Sequence, residues 1–285
     1  MTIFLVLVIW VIAILFVGCN GNDNGNKTGI QAELDGKYIS VFGDSISTYA
    51  GVSDSVMQNN TLPQNKTHYF GNNDGVESES ETWWGKLIND LQVNLLVNNS
   101  SSGAKVYGKG NVSLSEIDQG IGDRANNLHA NRGKLKGKNP DIILIFIGIN
   151  DFNEGKPSGD FKNINFSSLV TEKNGEYEYN APSNFAEGYF IMSHKIINNY
   201  KNAKVFMINL PNRVEEVPPR LVEYNNAIKG VAEYFNATLV DLYSSKISGG
   251  DYINYTKSDN LHPDKTGMAE IASTVQCAIE KAYLG

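Results

Sequence analysis

One stretch of the chain, Asp141-Ile142-Ile143-Leu144-Ile145-Phe146-Ile147, is continuously apolar after its first residue and rich in β-branched side chains. This length and composition are typical of a central parallel strand that is buried on both faces. The run leads into Gly148-Ile149-Asn150-Asp151, so the Asn150 amide is expected at the carboxyl end of the strand, where ligands bind in open α/β sheets. Without further context, Asn150 could equally stabilise its own turn.

A second strand is predicted over Lys37-Tyr38-Ile39-Ser40-Val41-Phe42, a β-rich run that is closed by a glycine. Gly43-Asp44-Ser45 follows, so Ser45 should lie just past the carboxyl end of this strand, at the same edge of the sheet as Asn150. All three residues favour turns, and Gly-Asp-Ser by itself would be interpreted as an ordinary turn.

Proton chemistry is predicted for Asp259-Asn260-Leu261-His262. A serine hydroxyl is a poor nucleophile until a base takes its proton, and histidine, with an ordinary pKa of about 6.5, suits that task. A carboxylate three residues before the ring can hold its tautomer, and Pro263 helps to stop a helix from running through the loop. An isolated histidine in such a loop is more often simply a surface residue.

A third strand is predicted over Asn94-Leu95-Leu96-Val97, and the polar run Asn98-Asn99-Ser100-Ser101-Ser102-Gly103-Ala104 follows it. A glycine lets the backbone approach a ligand closely, so the Gly103 N–H could serve as a donor to an oxyanion. The same serines and asparagines could equally form a solvated loop.

Together and in this order, the four segments resemble those of the SGNH (GDSL-type) hydrolases, a family named for Ser, Gly, Asn and His in four separated blocks. The Gly-x-Ser-x-Gly turn of other α/β-hydrolases is absent, because Ser45 is flanked as Gly-Asp-Ser-Ile-Ser. The resemblance implies that Ser45 is the nucleophile, and that His262 is the base with Asp259 as its acid. It implies an oxyanion hole formed by Ser45, Gly103 and Asn150, with Asp44 and Gly148 as supporting residues.

Strand-like and helix-like segments alternate along the chain, which predicts a parallel sheet covered on both faces. Two further strands are predicted, over Lys204–Asn209 and Thr238–Asp241. Helices are predicted over Thr82–Leu91, Ile117–Leu128, Asn184–Tyr200, Val222–Phe235 and Thr266–Tyr283. Trp83 and Trp84 are interpreted as core residues of the first of these helices. By resemblance, the fold is a flavodoxin-like three-layer α/β/α sandwich with a parallel five-stranded sheet in the order 2-1-3-4-5.

Two long segments, Tyr49–Glu81 and Phe152–Pro182, interrupt this alternation and leave the predicted catalytic edge. Asn174-Gly175 predicts a two-residue hairpin within the second of them. Long loops in compact domains are usually functional or disordered, so these segments are expected to wall the substrate cleft, the alternative being surface loops. Their aromatic residues would then face the substrate: Tyr69, Phe70, Phe152, Phe161, Tyr177 and Tyr179.

Composition narrows the class of protein. The chain has 285 residues, which is compatible with one α/β domain. Its formal net charge is −7 and no basic cluster is present, so a nucleic acid is not expected as a partner. The four histidines are widely separated in sequence and both cysteines lack a nearby ligand partner, so no metal and no other cofactor is expected.

The first residues have the pattern of a targeting segment. Ile3 to Val17 is apolar throughout but shorter than the roughly 20 residues of a membrane span. It ends in Phe16-Val17-Gly18-Cys19, which resembles a bacterial lipobox with Cys19 as the lipidated residue. We therefore expect a signal peptide over residues 1–18, a polar tether over 19–35 and the hydrolase domain over 36–285. A secreted or cell-envelope lipoprotein anchored at Cys19 follows, the alternatives being an ordinary cleaved signal peptide and an uncleaved anchor.

The sequence thus predicts a serine esterase that cleaves short-chain, acetyl-type esters through an acyl-enzyme at Ser45, with a small ester or an acylated glycan as its substrate. The predicted loops interleave polar groups with aromatic rings and offer no continuous apolar face for a long acyl chain. Two alternatives stay open. One is a lipase or phospholipid acyl hydrolase, and the other is a non-catalytic surface protein that retains this scaffold for binding.

Overall fold

A parallel sheet of five strands forms the centre of the computed structural model, which describes residues 27, 29–50, 67–71, 75–108, 122–131 and 133–285. In chain order its strands are β1 (Tyr38–Gly43), β2 (Asn94–Asn98), β3 (Ile142–Phe146), β6 (Lys204–Ile208) and β7 (Thr238–Val240). Their order in space is β2-β1-β3-β6-β7, which confirms the predicted 2-1-3-4-5 arrangement. A separate antiparallel pair, β4 (Val170–Lys173) and β5 (Glu176–Tyr179), lies outside this sheet.

Helices cover both faces of the sheet. The main ones are α2 (Trp83–Leu91), α5 (Phe185–Asn199), α6 (Pro219–Tyr234) and α7 (Lys265–Leu284), with short helices α1 (Gly29–Glu33), α3 (Ile149–Asn153) and α4 (Phe166–Leu169). Helix α7 packs against α1 and α2, whereas α5 packs against α6. From β1 to β2 the chain moves toward one edge of the sheet, and from β3 through β6 to β7 it moves toward the opposite edge. Right-handed crossovers therefore place the two helix pairs on opposite faces.

The strand order places the predicted site. The order reverses between β1 and β3, and in open α/β sheets ligands bind at such a reversal, outside the carboxyl ends of the strands. The two strands end together, since Gly43 pairs with Phe146. Ser45 follows β1 and Asn150 follows β3, so both predicted site residues lie at the reversal.

The core explains why these segments are strands and helices. Every residue of β3 is buried, as expected for a strand with helices on both of its faces. Trp83 and Trp84 are also fully buried, which confirms their prediction as core residues. Their indole N–H groups also donate to the turn Ser45–Ser47, Trp83 to Ser47 Oγ (3.2 Å) and Trp84 to the Ser47 carbonyl (2.9 Å).

The prediction of a helix over Ile117–Leu128 is wrong for those of its residues that the structure describes. Residues 117–121 lie outside the described residues, and Gly122–Asn126 forms a 3-10 turn. Leu128 donates its N–H to the Tyr200 hydroxyl (2.7 Å) instead of to a helical carbonyl. The prediction considered only the spacing of apolar residues. The segment also contains Gly120 and Gly122, and each glycine destabilises a helix interior by about 1 kcal/mol relative to alanine.

The segment before β1 has structure of its own. Helix α1 lies within the stretch assigned to the tether, and Ile30 and Leu34 are buried. Because α1 packs on α7, the folded unit includes residues on the N-terminal side of residue 36. Cys19 and the apolar run before it lie outside the described residues. No helix in the described part of the chain has the length and apolar character needed to cross a bilayer.

The Asn174-Gly175 hairpin is confirmed, with both residues at positive φ (55° and 83°), as a two-residue type I′ turn requires. The hairpin does not wall the site. Tyr177 and Tyr179 pack on His194 of α5, and they line a cavity of about 580 Å³ with Asn139 and Tyr200. Asn139 precedes β3 and Tyr200 precedes β6, so this cavity lies at the amino edge of the sheet. Phe161 packs instead on Phe166 and Tyr234.

Candidate active site

Ser45 begins a 3-10 turn, Ser45–Ser47, two residues after β1 ends. The Asp44 carboxylate caps this turn by accepting the Ile46 N–H (3.1 Å). Gly43 is required by close packing, because a Cβ there would lie 2.8 Å from the Phe146 carbonyl oxygen of β3. The turn is therefore held both by its cap and by the neighbouring strand.

His262 lies in a tight turn that precedes α7. Thr256 and Pro263 form an antiparallel bridge across this turn, and Lys257 N donates to the His262 carbonyl (2.9 Å). Asn260 reverses the chain at φ 54°, a conformation that asparagine tolerates better than most residues. Asp264 then caps α7 by accepting the Gly267 N–H (2.9 Å), so the base is fixed to the start of a long helix.

The three residues form one hydrogen-bonded chain. Ser45 Oγ lies 2.8 Å from His262 Nε2, and His262 Nδ1 lies 2.7 Å from Asp259 Oδ2. The other carboxylate oxygen, Oδ1, accepts the N–H groups of Leu261 and His262, both at 2.9 Å. Ser45 and His262 are buried (2% and 8% exposed), so the proton path from Oγ to the ring is shielded from water. This is the geometry of a nucleophile, a base and an acid that orients the base.

Electrostatics keep the base neutral and the acid charged at neutral pH. Burial raises the pKa of Asp259, but the hydrogen bonds from His262 and Leu261 outweigh it and lower the pKa to about 2. Burial lowers the pKa of His262 below its ordinary 6.5. Asp259 opposes that shift, while the positive charges of Lys257 and Arg213 add to it. An ion-paired histidine would usually have a raised pKa. Here burial and the two cations prevail, so His262 can accept a proton at neutral pH.

Asn150 lies beside the Gly103 loop. Its Nδ2 donates to the Ala104 carbonyl (3.0 Å), and a side-chain amide has two N–H donors, so this bond fixes the amide and leaves its second N–H. Gly103 has φ 76°, which explains the glycine at this position. The next residue, Asp151, accepts the N–H groups of Val106 (3.1 Å) and Tyr107 (2.9 Å) and so ties the same loop to α3.

A protein-family model described as GDSL-like Lipase/Acylhydrolase matches residues 37–279, which include every part of this arrangement. The chain belongs to the GDSL-like lipase/acylhydrolase family. It is a serine ester hydrolase of that family, as its sequence predicted.

Solved structures share the fold of this GDSL-like hydrolase. A protein from Bacteroides ovatus described as a GDSL-like lipase is 23% identical (TM-score 0.58), and the alignment covers 86% of this chain and 99% of that one. A Bacteroides uniformis protein with the same description is 22% identical (TM-score 0.58; 86% and 96% covered). A carbohydrate esterase family 2 enzyme from Corynascus is 19% identical (TM-score 0.50; 86% and 66% covered). A search of curated proteins found no match.

Two supporting residues predicted for the GDSL-like hydrolase have structural explanations. Asp44 caps the nucleophile turn, as described above. Gly148 precedes α3 at φ 127°, and a Cβ there would lie 3.0 Å from the Phe185 ring. A side chain at position 148 would therefore be strained by the positive φ and would crowd the Phe185 ring, directly before the helix that carries Asn150.

Sequence reasoning missed Arg124, which lies beneath the nucleophile turn. Its guanidinium donates to the carbonyls of Gly43 (3.0 Å) and Asn99, linking the ends of β1 and β2. Burial raises the pKa of both Asp44 and Asp151 to about 7, and the positive charge of Arg124 lowers that of Asp44. Burial lowers the pKa of Arg124 to about 10, so the guanidinium stays charged at neutral pH. No local motif identifies this arginine, because its partners are backbone atoms of distant segments.

A second missed residue is His68, whose ring stacks on that of His262. In the described part of the chain, His68, Asp259 and His262 form the one group of potential metal-ligand atoms within 4.8 Å of one another. Both His262 nitrogens and Asp259 Oδ2 already belong to the hydrogen-bonded chain with Ser45. This hydrogen bonding suits Asp259 and His262 to proton transfer, whereas His68 stacks on the His262 ring. The only sequence signal for His68 was the position of His68-Tyr69-Phe70 in a loop that leaves the catalytic edge of the sheet.

The Asn150→Ala variant is expected to lose about 10²–10³-fold in kcat with little change in KM, because an oxyanion donor acts mainly in the transition state. Steady-state kinetics on p-nitrophenyl acetate measure this loss. Asn94→Ala is the matched control, since the Asn94 amide also donates to a backbone carbonyl, that of Lys37, but at the opposite edge of the sheet. An effect on KM alone would instead make Asn150 a residue that positions substrate.

Proposed function

We propose that this GDSL-like hydrolase is an esterase that removes short, acetyl-type acyl groups through an acyl-enzyme at Ser45, and that its natural substrates are acylated carbohydrates. The observation that supports the mechanism is the hydrogen-bonded chain from Ser45 Oγ through His262 to Asp259 Oδ2. It gives the hydroxyl a base in contact and gives that base a fixed tautomer.

In the proposed reaction, Ser45 Oγ attacks the ester carbonyl carbon while its proton passes to His262 Nε2. Asp259 stabilises the imidazolium, and the Ser45 and Gly103 N–H groups and the Asn150 amide bind the oxyanion. Collapse of the tetrahedral intermediate breaks the ester C–O bond, and His262 returns its proton to the leaving alcohol. A water molecule then attacks the acyl-Ser45 ester with His262 as the base, which releases the acid and restores the Ser45 hydroxyl.

The proposal for a small substrate is supported by a pocket that reaches Asp259 of the triad. Its volume is about 360 Å³, near the lower end of the roughly 300–1,000 Å³ of small-ligand sites. The apolar part includes Phe152 and Leu221, and the polar part includes Arg213 and Asn260 beside the catalytic Asp259. The guanidinium donates to Asn153 Oδ1 and has further N–H donors that a sugar hydroxyl could use. The Corynascus carbohydrate esterase shares only the fold with this chain, so the proposed substrate is inferred from the pocket.

We expect kcat/KM to be highest for the acetyl ester in a series of p-nitrophenyl acetate, butyrate, octanoate and palmitate. Each buried CH₂ contributes only about 0.8 kcal/mol, so a long chain needs an extended apolar surface to be preferred. Acetylated xylan and acetylated oligosaccharides, assayed by acetate release, test the carbohydrate part. Ser45→Ala provides the background rate for each substrate, and a maximum at octanoate or palmitate would contradict the proposal.

A lipase or phospholipid acyl hydrolase is the second candidate, and one observation favours it. Val214 and Ile253 line the same pocket, yet they are 49% and 57% exposed. Apolar side chains at a pocket rim are suited to contact with a lipid. The ester series above decides between the two candidates. A purely binding role is disfavoured, because a binding surface gains nothing from a complete chain of nucleophile, base and acid.

We also propose that the enzyme is a cell-envelope lipoprotein anchored at Cys19. The apolar run and the Phe16-Val17-Gly18-Cys19 sequence support this proposal. For the wild type expressed in a bacterium, we expect a membrane-bound product whose N-terminal peptide carries a lipid on Cys19 by mass spectrometry. Cys19→Ser should remain unlipidated, and Cys277→Ser is the matched control because Cys277 lies in α7. An unmodified, soluble wild-type product that begins after residue 19 would contradict the anchor.

A further inference from the structure

The ring of His68 lies flat against the ring of His262. Their centroids are 3.4 Å apart and their planes differ by 13°, so the two imidazoles are in van der Waals contact over a whole face. Tyr69 completes the arrangement, since its ring meets both imidazoles edge-on, at 4.8 Å from His68 and 6.2 Å from His262. The base of the triad is thus packed on one face by a second histidine.

Lys257 contacts a nitrogen of the His68 ring. Its Nζ lies 3.3 Å from His68 Nε2, and an ammonium group can only donate. In a hydrogen bond from a charged Lys257, His68 Nε2 is therefore the acceptor, and a histidine ring with an acceptor nitrogen is neutral. Lys257 is itself fixed, because its backbone N–H donates to the His262 carbonyl (2.9 Å).

The backbone around His68 is attached to both halves of the triad. The His68 N–H donates to Thr48 Oγ1 (2.9 Å), and that hydroxyl donates to the Ser45 carbonyl (2.8 Å). The Tyr69 hydroxyl donates to the Pro263 carbonyl (2.8 Å), next to His262. The His68-Tyr69 segment therefore spans from the nucleophile turn to the loop of the base.

The hydrogen bonds of His262 restrain one motion of its ring only weakly. A hydrogen bond to a ring nitrogen is best aligned along the ring plane, so the bonds to Ser45 and to Asp259 hold the two nitrogens in place but resist less strongly a tilt of the ring about the line that joins them. Contact with a ring face resists that tilt. We propose that His68 is a positioning residue, whose neutral ring, held by Lys257, keeps His262 aligned between Ser45 and Asp259 during turnover. This inference rests on the proposed function of the triad.

A neutral His68 would also favour the transfer of a proton to His262. His262 is influenced by Asp259 on its own turn, by Lys257 and by Arg213 from the loop after β6. When His262 takes the proton from Ser45, a neutral ring beneath it can stack on the imidazolium. A protonated His68 would instead place a second positive charge at the same 3.4 Å separation and oppose proton transfer.

The test compares His68→Ala, which removes the ring, with His68→Phe, which keeps a flat ring without nitrogen atoms. His194→Ala is the matched control, because His194 also contacts aromatic rings, those of Tyr177 and Tyr179, but lies on α5 away from the triad. We expect His68→Ala to lower kcat on p-nitrophenyl acetate about 10- to 100-fold with KM within about threefold, the range for a misaligned catalytic group. His68→Phe should recover most of that loss.

Three further measurements separate positioning from general damage to the fold. Thermal unfolding should give similar Tm values for the Ala and Phe variants. The low-field proton resonance of the His262–Asp259 hydrogen bond should broaden in His68→Ala and persist in His68→Phe. The acid limb of the pH profile of kcat/KM should shift in Lys257→Met. This substitution should also lower kcat when His68 is present, and that loss should be absent when His68 is replaced by phenylalanine.

A wild-type kcat in His68→Ala, or a His68→Phe variant as slow as His68→Ala, would overturn the inference. Failure of the proposed function has a different signature. In that case wild-type Ser45 would neither hydrolyse esters nor react with a fluorophosphonate. If the wild type reacts and His68→Ala is labelled at the same rate, only the role of His68 is contradicted.

Discussion

Ser45→Ala is expected to fold normally and to lose roughly 10⁶-fold in kcat on any ester that the wild type hydrolyses. Loss of the nucleophile in a serine triad leaves only what the oxyanion donors and substrate binding contribute. The side chain is small and its Oγ makes the bond to His262 Nε2, so its removal leaves the packing of the turn intact.

The measurement combines kinetics with chemical labelling. A fluorophosphonate should modify the wild type at Ser45, identified by peptide mass spectrometry, and should leave Ser45→Ala unmodified. Ser167→Ala, at an exposed serine of α4, is the matched control and should behave as the wild type in both assays. Labelling at another serine, or substantial turnover by Ser45→Ala, would contradict the assignment of the nucleophile.

His262→Ala should cost about as much as Ser45→Ala, because the two residues act as one unit in removing and returning the proton. Asp259→Asn should cost less, about 10⁴-fold, since the acid orients the base but does not replace it. The Asp259 pKa of about 2 means that wild-type activity should not depend on titration of this carboxyl above pH 4 or so. Addition of free imidazole should restore part of the activity of His262→Ala.

Steady-state kinetics and differential scanning calorimetry on the same preparations separate lost chemistry from lost structure. His194→Ala again serves as the control, since it removes a partly buried imidazole elsewhere. A His262→Ala variant that retains near-wild-type kcat would exclude this histidine as the base. An Asp259→Asn variant as inactive as His262→Ala would mean that the acid does more than orient the ring.

Much of the fold could be predicted because the deciding signals are local. The apolar run of β3 and the glycine that ends β1 identified the strands that Asn150 and Ser45 follow. Asp259 and His262 lie three residues apart, so a single turn brings them together and their pairing could be predicted from spacing. Spacing along the chain does not show that the strand ends with Ser45 and Asn150 lie close together. Their proximity follows from the strand order, in which β1 and β3 are neighbours.

The rest depends on contacts between distant segments. His68 is recognisable only once the loop after Ser45 is seen to reach the turn of His262. Arg124 binds backbone carbonyls, which leave no trace in its own sequence. The hairpin with Tyr177 and Tyr179 was expected at the catalytic edge, but its rings pack on His194, and α5 carries that contact away from the carboxyl ends of the strands. Alternating side chains predict a hairpin but not the surface on which it rests.

The bond between Ser45 and His262 joins residues 217 positions apart. Ser45 follows the first strand of the sheet, whereas His262 precedes α7, which packs on α2, the helix that follows the Ser45 turn. A ribosome must therefore synthesise the chain through residue 262 before the nucleophile can meet its base, and contacts of such long range also form late in folding. Hydrolysis of a chromogenic ester is consequently a stringent reporter of complete folding, since nascent or C-terminally clipped chains would be silent in that assay.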